Sequence, residues 1–353
     1  MSAWKWSEFN DTISLKNPEL TSFERLFVIC MLAFRDAGVK YGVVECGMGG
    51  LLDATNAIDY SDKELCIICS IDLDHQVYLG DTLQKIAKHK AGIVGPGNTC
   101  IVSESACKAG ILDFIPESAG TIVVSPFDCV LFDGYVFEEG DLFPTGTSYF
   151  IKDLNLKVKV PGLIGHSSFA LNAGLAVKAL IQLDFLTLDY KLGFSSFEHR
   201  GRGNVVTLEG SRRFLLDGCH NQESVASLCN WLPPLLKSHN PICLVVGFSK
   251  GIEDAKSMLK VLIHEISPRL IRKLYICQFS TPEGMPWIRS LSGELIRQEM
   301  SSFFASLSID VDYIDSIDNI TSDIDECKES LTLVCGSLYL LSDFYANFLI
   351  NKI

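Results

Sequence analysis

Basic residues are scarce in this 353-residue chain: 30 Lys and Arg stand against 43 Asp and Glu, for a formal net charge of −13. That balance excludes a general nucleic-acid binder, which needs a basic surface. A small anionic ligand is still admissible where a metal ion, clustered cations or helix N-termini can hold it. Long apolar runs are lacking too. None reaches the roughly 18 residues expected of a membrane span, so no membrane role is expected. The first residues mix charges with apolar side chains and form no secretory core, and they are neither Arg-rich nor acid-poor. The cytoplasm is the expected compartment, with the mitochondrion left open. Paired Cys-x-x-Cys sets at zinc-site spacing are also absent, since Cys66-x-x-Cys69 stands alone in an apolar run. The 13 cysteines, an odd number scattered through apolar segments, read as buried free thiols in a reducing compartment. Finally, no Gly-Lys-Ser or Gly-Lys-Thr occurs anywhere, so no P-loop is present to cradle a phosphate with backbone N–H groups and a lysine.

What is present is ample for a packed core: 48% of residues are hydrophobic, and the length suggests two domains. Residues 23–37 carry apolar side chains at helical spacing, with Gly38 as a stop. The spacing predicts a strand over Tyr41–Glu45, a tight loop at Gly47, Gly49 and Gly50, a strand at Leu65–Ile71, and a helix over Thr82–Gly92 capped by Asp81. Strands at Cys100–Ser103 and Thr121–Val124 follow. This alternation favours a mostly parallel, doubly wound sheet. Short runs broken by Gly and Pro over Cys129–Val160 predict an antiparallel subregion attached to the same domain. Ser168–Leu183 is helical again and contains Asn172, and residues 184–201 read as a linker. A second α/β run begins at Arg202, with strands expected at Phe214–Leu216, Ile242–Val246, Leu274–Cys277, Val311–Ile314 and Leu331–Val334. The expected domains are therefore 1–190 and 200–353.

Chemistry concentrates in three places. Glu45 ends an apolar run ahead of the glycine loop, and ligands of parallel sheets bind beyond such strand ends. Its carboxylate suits a hard cation that keeps water ligands. His75, flanked by Asp72 and Asp74, follows a second apolar run, and Lys90 sits in H-K-A-G-I where a helix ends. Taken singly, Glu45 reads as a solvated strand end, His75 as an ordinary loop histidine, and Lys90 as part of a basic face with Lys85 and Lys88. The second half carries Leu216-Asp217-Gly218-Cys219-His220-Asn221. There Asp217 ends a strand, suiting a ribose or base contact. His220 lies near a helix N-terminus, suiting phosphate, and Asn221 is placed to cap that helix. A plain strand–turn–helix would look the same.

Together these residues resemble the folate branch of the Mur ligase family, the dihydrofolate synthases and folylpolyglutamate synthases. E-C-G-M-G-G-L-L-D-A-T-N and L-D-H-x-x-x-L-G-D-T-L-x-x-I-A-x-x-K-A-G-I carry the resemblance, with further blocks in family order along nearly the whole chain. The resemblance implies a Mur-ligase-type ATPase domain followed by a smaller Rossmann-like α/β domain. It also implies an ATP-dependent C–N ligase. ATP phosphorylates a pteroate or folate carboxylate, and the amine of L-glutamate displaces phosphate from the acyl phosphate to form an amide. By position, Glu45 and His75 resemble Mg²⁺ ligands, and Lys90 resembles a lysine whose carbamylation creates an oxygen ligand for a second Mg²⁺. Lys90 and His75 are thereby the candidate catalytic residues. Arg202, Asp217 and His220 resemble ATP contacts, and His166 and Asn172 match the G-H-x-x-x-x-x-N block, Asn172 with a nucleotide-linked or structural role. The implied protein is a monomer.

The chain departs from the family pattern ahead of Glu45, where 44 residues contain only two glycines, Gly38 and Gly42, and neither is followed by a lysine and a serine or threonine. The P-loop, the pterin-binding loop and at least one central strand are missing from that stretch. The expected fold is thus an ATPase domain truncated at its N-terminus, with a sheet edge or a hole in its core. Two expectations follow: a folate ligase of dihydrofolate synthase type, or a non-catalytic truncated relative acting as a binding or regulatory protein, or else an incomplete gene model. Smaller departures are Glu198-His199-Arg200-Gly201-Arg202 in place of Pro-Gly-Arg, which leaves Arg200 as an alternative to Arg202, and Cys219 in place of Ala.

Overall fold

The computed structural model describes residues 10, 13, 17, 19–73, 75–138, 143–164, 167–185, 187–208, 212–236, 241–249, 251–282, 285–320 and 331–350. The chain divides into two compact units, Met1–Cys129 with Leu171–Thr187, and Val130–Ala170 with Leu188–Ile353.

In the first unit, helix α1 (Ser22–Ala37) starts at a capping box. Thr21 Oγ1 accepts from Glu24 N, and Glu24 reaches back to Thr21 N at 2.7 Å. The helix stops at Gly38, whose φ of 62° is left-handed. Strands β1 (Leu65–Ile68), β2 (Thr99–Ser103) and β3 (Ile122–Ser125) form a fully parallel sheet in that order. Two short helices, α2 (Gln76–Leu79) and α3 (Leu83–Ala91), connect β1 to β2, and α4 (Glu104–Lys108) follows β2. Residues on β2 alternate between two cores. Cys100 and Val102 pack with Ile86, Ala87 and Ala106, while Ile101 packs with Leu175 and Ala179. Helices thus cover both faces, as a parallel sheet requires.

Two sequence expectations fail in this unit. Tyr41–Glu45 forms no strand, and β1 pairs with β2 and with no other strand among the described residues. Without a ladder partner the segment keeps its apolar side chains in solvent, Val43 at 96% exposure. Asp81 does not cap α3. Thr82 does, accepting from Lys85 N, while Asp81 pairs with the Lys85 ammonium at 2.7 Å.

The second unit contains an antiparallel sheet and a doubly wound one. Strands β4 (Val130–Val136), β5 (Gly146–Ile151) and β6 (Leu156–Pro161) form a meander. The sequence reading attached this region to the first half, yet its anchors lie in the second unit. The Tyr135 hydroxyl donates to the Trp231 carbonyl, Thr147 Oγ1 donates to the Leu163 carbonyl at 2.8 Å, and Phe143 joins the main core. Strand alternation does not reveal what a sheet packs on. The chain then runs through α5 (Ser167–Gln182), which crosses into the first unit, and α6 (Tyr190–Ser195).

Strands β7 (Asn204–Leu208), β8 (Arg212–Asp217), β9 (Ile242–Val246), β10 (Ile271–Cys277), β11 (Val311–Ile314) and β12 (Leu331–Cys335) form a sheet ordered β11-β10-β9-β12-β8-β7. Pairings are parallel except for the edge strand β7, which the sequence reading missed. Helices α7 (Gln222–Leu236), α8 (Ile252–Ile266) and α9 (Gly293–Leu307) cover one face. Helix α10 (Leu338–Tyr345) covers the other with Leu340, Leu341 and Phe344. Alternation is strict: Leu215, Leu244 and Leu333 face the first layer, and Leu216, Val245 and Val334 the second. Because β12 inserts between β8 and β9, the sheet has a switch point there, and the carboxyl ends of β8, β12 and β9 frame the crevice where such sheets bind ligands.

Candidate functional site

The glycine loop of the first unit is tied to the end of α3. The Leu51 N–H donates to the His89 carbonyl at 2.7 Å. A Cβ on Gly50 would lie 2.9 Å from that same oxygen and 3.2 Å from the Lys90 carbonyl, so glycine alone permits the approach. The D-A-T-N half of the motif is scaffolding. Asp53 accepts from Met48 N at 2.8 Å, Thr55 N at 3.0 Å and Thr55 Oγ1 at 2.7 Å. Asn56 Nδ2 donates to the Leu51 and Gly92 carbonyls, both at 3.1 Å, and its Oδ1 accepts from Lys63 Nζ at 2.6 Å. These roles were not foreseen from the sequence, although a run of short polar side chains behind a glycine loop is the usual mark of side chains bonding backbone.

That scaffold sets the surroundings of Glu45, which is exposed in the unpaired segment, and of Lys90, half-buried in α3. Both act on the Cys69 thiol. Burial pushes its pKa up, the Lys90 ammonium pulls it down and the Glu45 carboxylate pushes it up. Cys69 nonetheless keeps exposed surface. His75 is also exposed and takes a left-handed φ of 52° just before α2, an uncommon backbone for a residue with a side chain. Asp74 and His166 lie outside the described residues. Among the described residues, no three His, Cys, Asp or Glu side chains gather as a metal cage. Glu45 and Lys90 thus share Cys69 as a neighbour. An exposed carboxylate such as Glu45 suits a hard divalent cation that keeps water or phosphate oxygens better than a closed four-ligand site.

In the second unit, Asp217 ends β8 at 3% exposure. Its Oδ1 accepts from Cys219 N and its Oδ2 from Gly203 N, both at 2.9 Å. Burial pushes its pKa up to about 6, against the pull of those two N–H groups and the Arg202 guanidinium. Arg202 is half-buried and near Asp217, whereas Arg200 is exposed, paired with Glu198 at 2.9 Å and placed over the Tyr345 ring at 5.6 Å. His220 Nδ1 lies 3.0 Å from the Gly218 carbonyl, so Nδ1 carries a proton and Nε2 is the atom left for a ligand. Asn221 caps α7 as expected, its Oδ1 accepting from Ser224 N at 2.8 Å. The first turn of α7 is thereby a helix N-terminus of the kind that binds anions. Arg202, Asp217 and His220 meet around the end of β8. Asn172 is exposed on α5 and belongs to the first unit.

The family model described as dihydrofolate synthetase, C-terminal domain, matches residues 206–347. A probable dihydrofolate synthetase of Schizosaccharomyces pombe is 29% identical over 349 residues, covering 96% of this chain and 78% of the relative. Along most of its length the chain is similar to dihydrofolate synthetases and folylpolyglutamate synthases. Its fold agrees. A folylpolyglutamate synthase structure from Thermotoga maritima superposes with a TM-score of 0.72 at 20% identity, covering 100% of this chain and 78% of that one. A bifunctional folylpolyglutamate synthase/dihydrofolate synthase from Yersinia pestis, complexed with AMPPNP and Mn ion, gives 0.68 at 20% identity, covering 98% and 76%. The matches extend through both units.

Proposed function

We propose that this chain is built to bind ATP with a divalent cation and to serve an ATP-dependent ligase that joins L-glutamate to a pteroate or folate carboxylate, of the dihydrofolate synthase type. The dihydrofolate subtype is favoured because both the family model and the fission-yeast relative carry that name. The observation that carries the reading is the strand-end loop of β8. There Arg202, the His220 imidazole and the N-terminus of α7 come together, an arrangement that suits an anionic nucleotide.

Glu45 and His75 would hold Mg²⁺, with Lys90 as a further oxygen ligand once carbamylated. When bound, the cation neutralises phosphate charge and polarises the transferring phosphoryl group. Glu45 and His75 would orient it, and the scaffold of Asp53 and Asn56 keeps the glycine loop that follows Glu45 fixed. Arg202 and His220 contact the nucleotide, and Asp217 acts on it through them.

The given residues contain no Gly-Lys-Ser or Gly-Lys-Thr, and this favours a second reading for the polypeptide alone: nucleotide binding with little or no turnover. Purified 1–353 is to be titrated with Mg-ADP by calorimetry and then assayed with dihydropteroate or tetrahydrofolate, glutamate and Mg-ATP. Binding without robust amide formation is the expected result. Robust turnover refutes the second reading, and absence of any ADP binding refutes the first.

A further inference from the structure

We propose that Tyr345, in the last helix of the second unit, is a positioning residue for Arg202, acting through the backbone of Gly201. The inference rests on the reading of Arg202 as a nucleotide contact.

The Gly201-Arg202-Gly203 loop is held almost entirely by its backbone. Both glycines have positive φ, 73° and 61°, so the loop adopts a conformation that side chains resist. Gly201 N donates to the Tyr345 hydroxyl at 3.1 Å, and Gly201 O accepts from Gly218 N at 2.7 Å. Arg202 N donates to the His199 carbonyl at 3.2 Å. Gly203 N donates to Asp217 Oδ2 at 2.9 Å, and Gly203 O accepts from Ile164 N at 2.8 Å. The backbone on both sides of Arg202 is therefore pinned, by a phenol on one side and a buried carboxylate on the other. Its guanidinium is not used up in holding the loop.

The phenol is itself fixed. It donates to Asn204 Oδ1 at 2.6 Å, and Asn204 Nδ2 donates to the Gly162 carbonyl at 3.2 Å. This makes a continuous chain from Gly201 through Tyr345 and Asn204 to Gly162. Burial pushes the phenol's pKa up to about 12, so it stays a donor across the neutral range. Tyr345 is only 8% exposed, and its neighbour Phe344 is locked in the core at 1%. The hydroxyl thus reports the position of α10 to the loop that carries Arg202.

The test is a double-mutant cycle on the full chain, read as the dissociation constant for Mg-ADP well below the unfolding temperature. Tyr345→Phe keeps the ring, its packing and the Arg200 contact but removes both hydroxyl bonds. Losing a buried hydrogen-bond pair of this kind is expected to weaken ADP binding about tenfold. In an Arg202→Ala background the same change should have no further effect, because the loop then has nothing to position. Equal losses in both backgrounds would mean a merely structural role and overturn the proposal, as would unchanged affinity in Tyr345→Phe. If Tyr345→Phe does not fold, Asn204→Ala is the second variant. It leaves the phenol oxygen to Gly201 but frees its hydrogen, and a smaller loss confined to the Arg202 background is expected. If the unmodified chain does not bind ADP, the proposed function fails by itself. Hydrogen exchange at the Gly201 and Gly203 amides then still decides the clamp: faster exchange in Tyr345→Phe supports it and unchanged exchange overturns it.

Discussion

Gly218 stands against Leu338 with no room for a side chain: a Cβ built on it would overlap Leu338 Cδ2, lie 2.7 Å from its Cγ, and come within 3.3 Å of Arg202 Nη1. The two contacts differ in kind. Leu338 is 41% exposed and can swing aside, whereas Arg202 belongs to a loop fixed on both flanks. Gly218→Ala is therefore expected to cost about 1 kcal/mol of stability, at the low end for overpacking. It should weaken Mg-ADP binding by more than that cost implies. Adding Leu338→Ala should restore the urea midpoint but not the affinity. Recovery of both would show that Arg202 is not displaced.

Asp217 makes stability depend on pH. Its pKa is raised in the fold, up to about 6, above the usual value near 3.9 of an unfolded aspartate. The folded state therefore binds the proton more tightly than the unfolded state. The contribution is fully present below about pH 4 and is lost as pH rises through about 6. A shift of this size corresponds to at most about 3 kcal/mol. Asp217→Asn should flatten this part of the profile, so that the stability of the natural chain relative to the variant falls between pH 4 and pH 6.5. Urea unfolding of both proteins across that range is the measurement. A difference that is constant with pH would show that Asp217 titrates normally.

Much of this architecture could be read from periodicity. Five strands of the second half stood out because buried parallel strands are near-continuous apolar runs, and Gly38 and Asn221 mark helix ends by residue type alone. Tyr41–Glu45 failed for a physical reason: its pattern is a strand's, but a strand exists only when another pairs with it, and pairing is not a local property. Strand β7 was missed because Val205 and Val206 lie in a short, half-exposed edge that merges with the preceding loop. The chemistry was legible in kind and illegible in geometry. Asp217 stood out as an acid at a strand end, yet only the fold reveals that both its oxygens serve Gly203 and Cys219. Tyr345 carried no signal, since its partners Gly201 and Asn204 lie more than a hundred residues away.

Glu45 should matter for metal and not for folding. It is exposed and lies in an unpaired segment, so Glu45→Ala is expected to change stability by no more than about 0.5 kcal/mol. The same change should weaken Mn²⁺ affinity, measured by electron paramagnetic resonance in the presence of ADP, by at least about tenfold. Glu45→Gln, which keeps an oxygen but not the charge, should fall between. Natural Mn²⁺ affinity in Glu45→Ala would remove Glu45 from the metal site.

Asp53 provides the opposite case, a residue inside the same motif whose effect should come through the fold. Its carboxylate takes three hydrogen bonds from Met48 and Thr55, and Thr55 is 6% exposed with its hydroxyl also 3.3 Å from Cys46 Sγ. Asp53→Ala leaves the Thr55 hydroxyl and two backbone N–H groups to find water, at an expected cost of about 1.5–3 kcal/mol. Asp53→Asn keeps one acceptor and should recover part of it. Because the loop between Glu45 and Asp53 is then released, Mn²⁺ affinity should fall together with stability in Asp53→Ala, unlike Glu45→Ala, where affinity falls alone. If Asp53→Ala unfolds at the natural urea midpoint and still loses the metal, Asp53 is a ligand and the scaffold assignment is wrong.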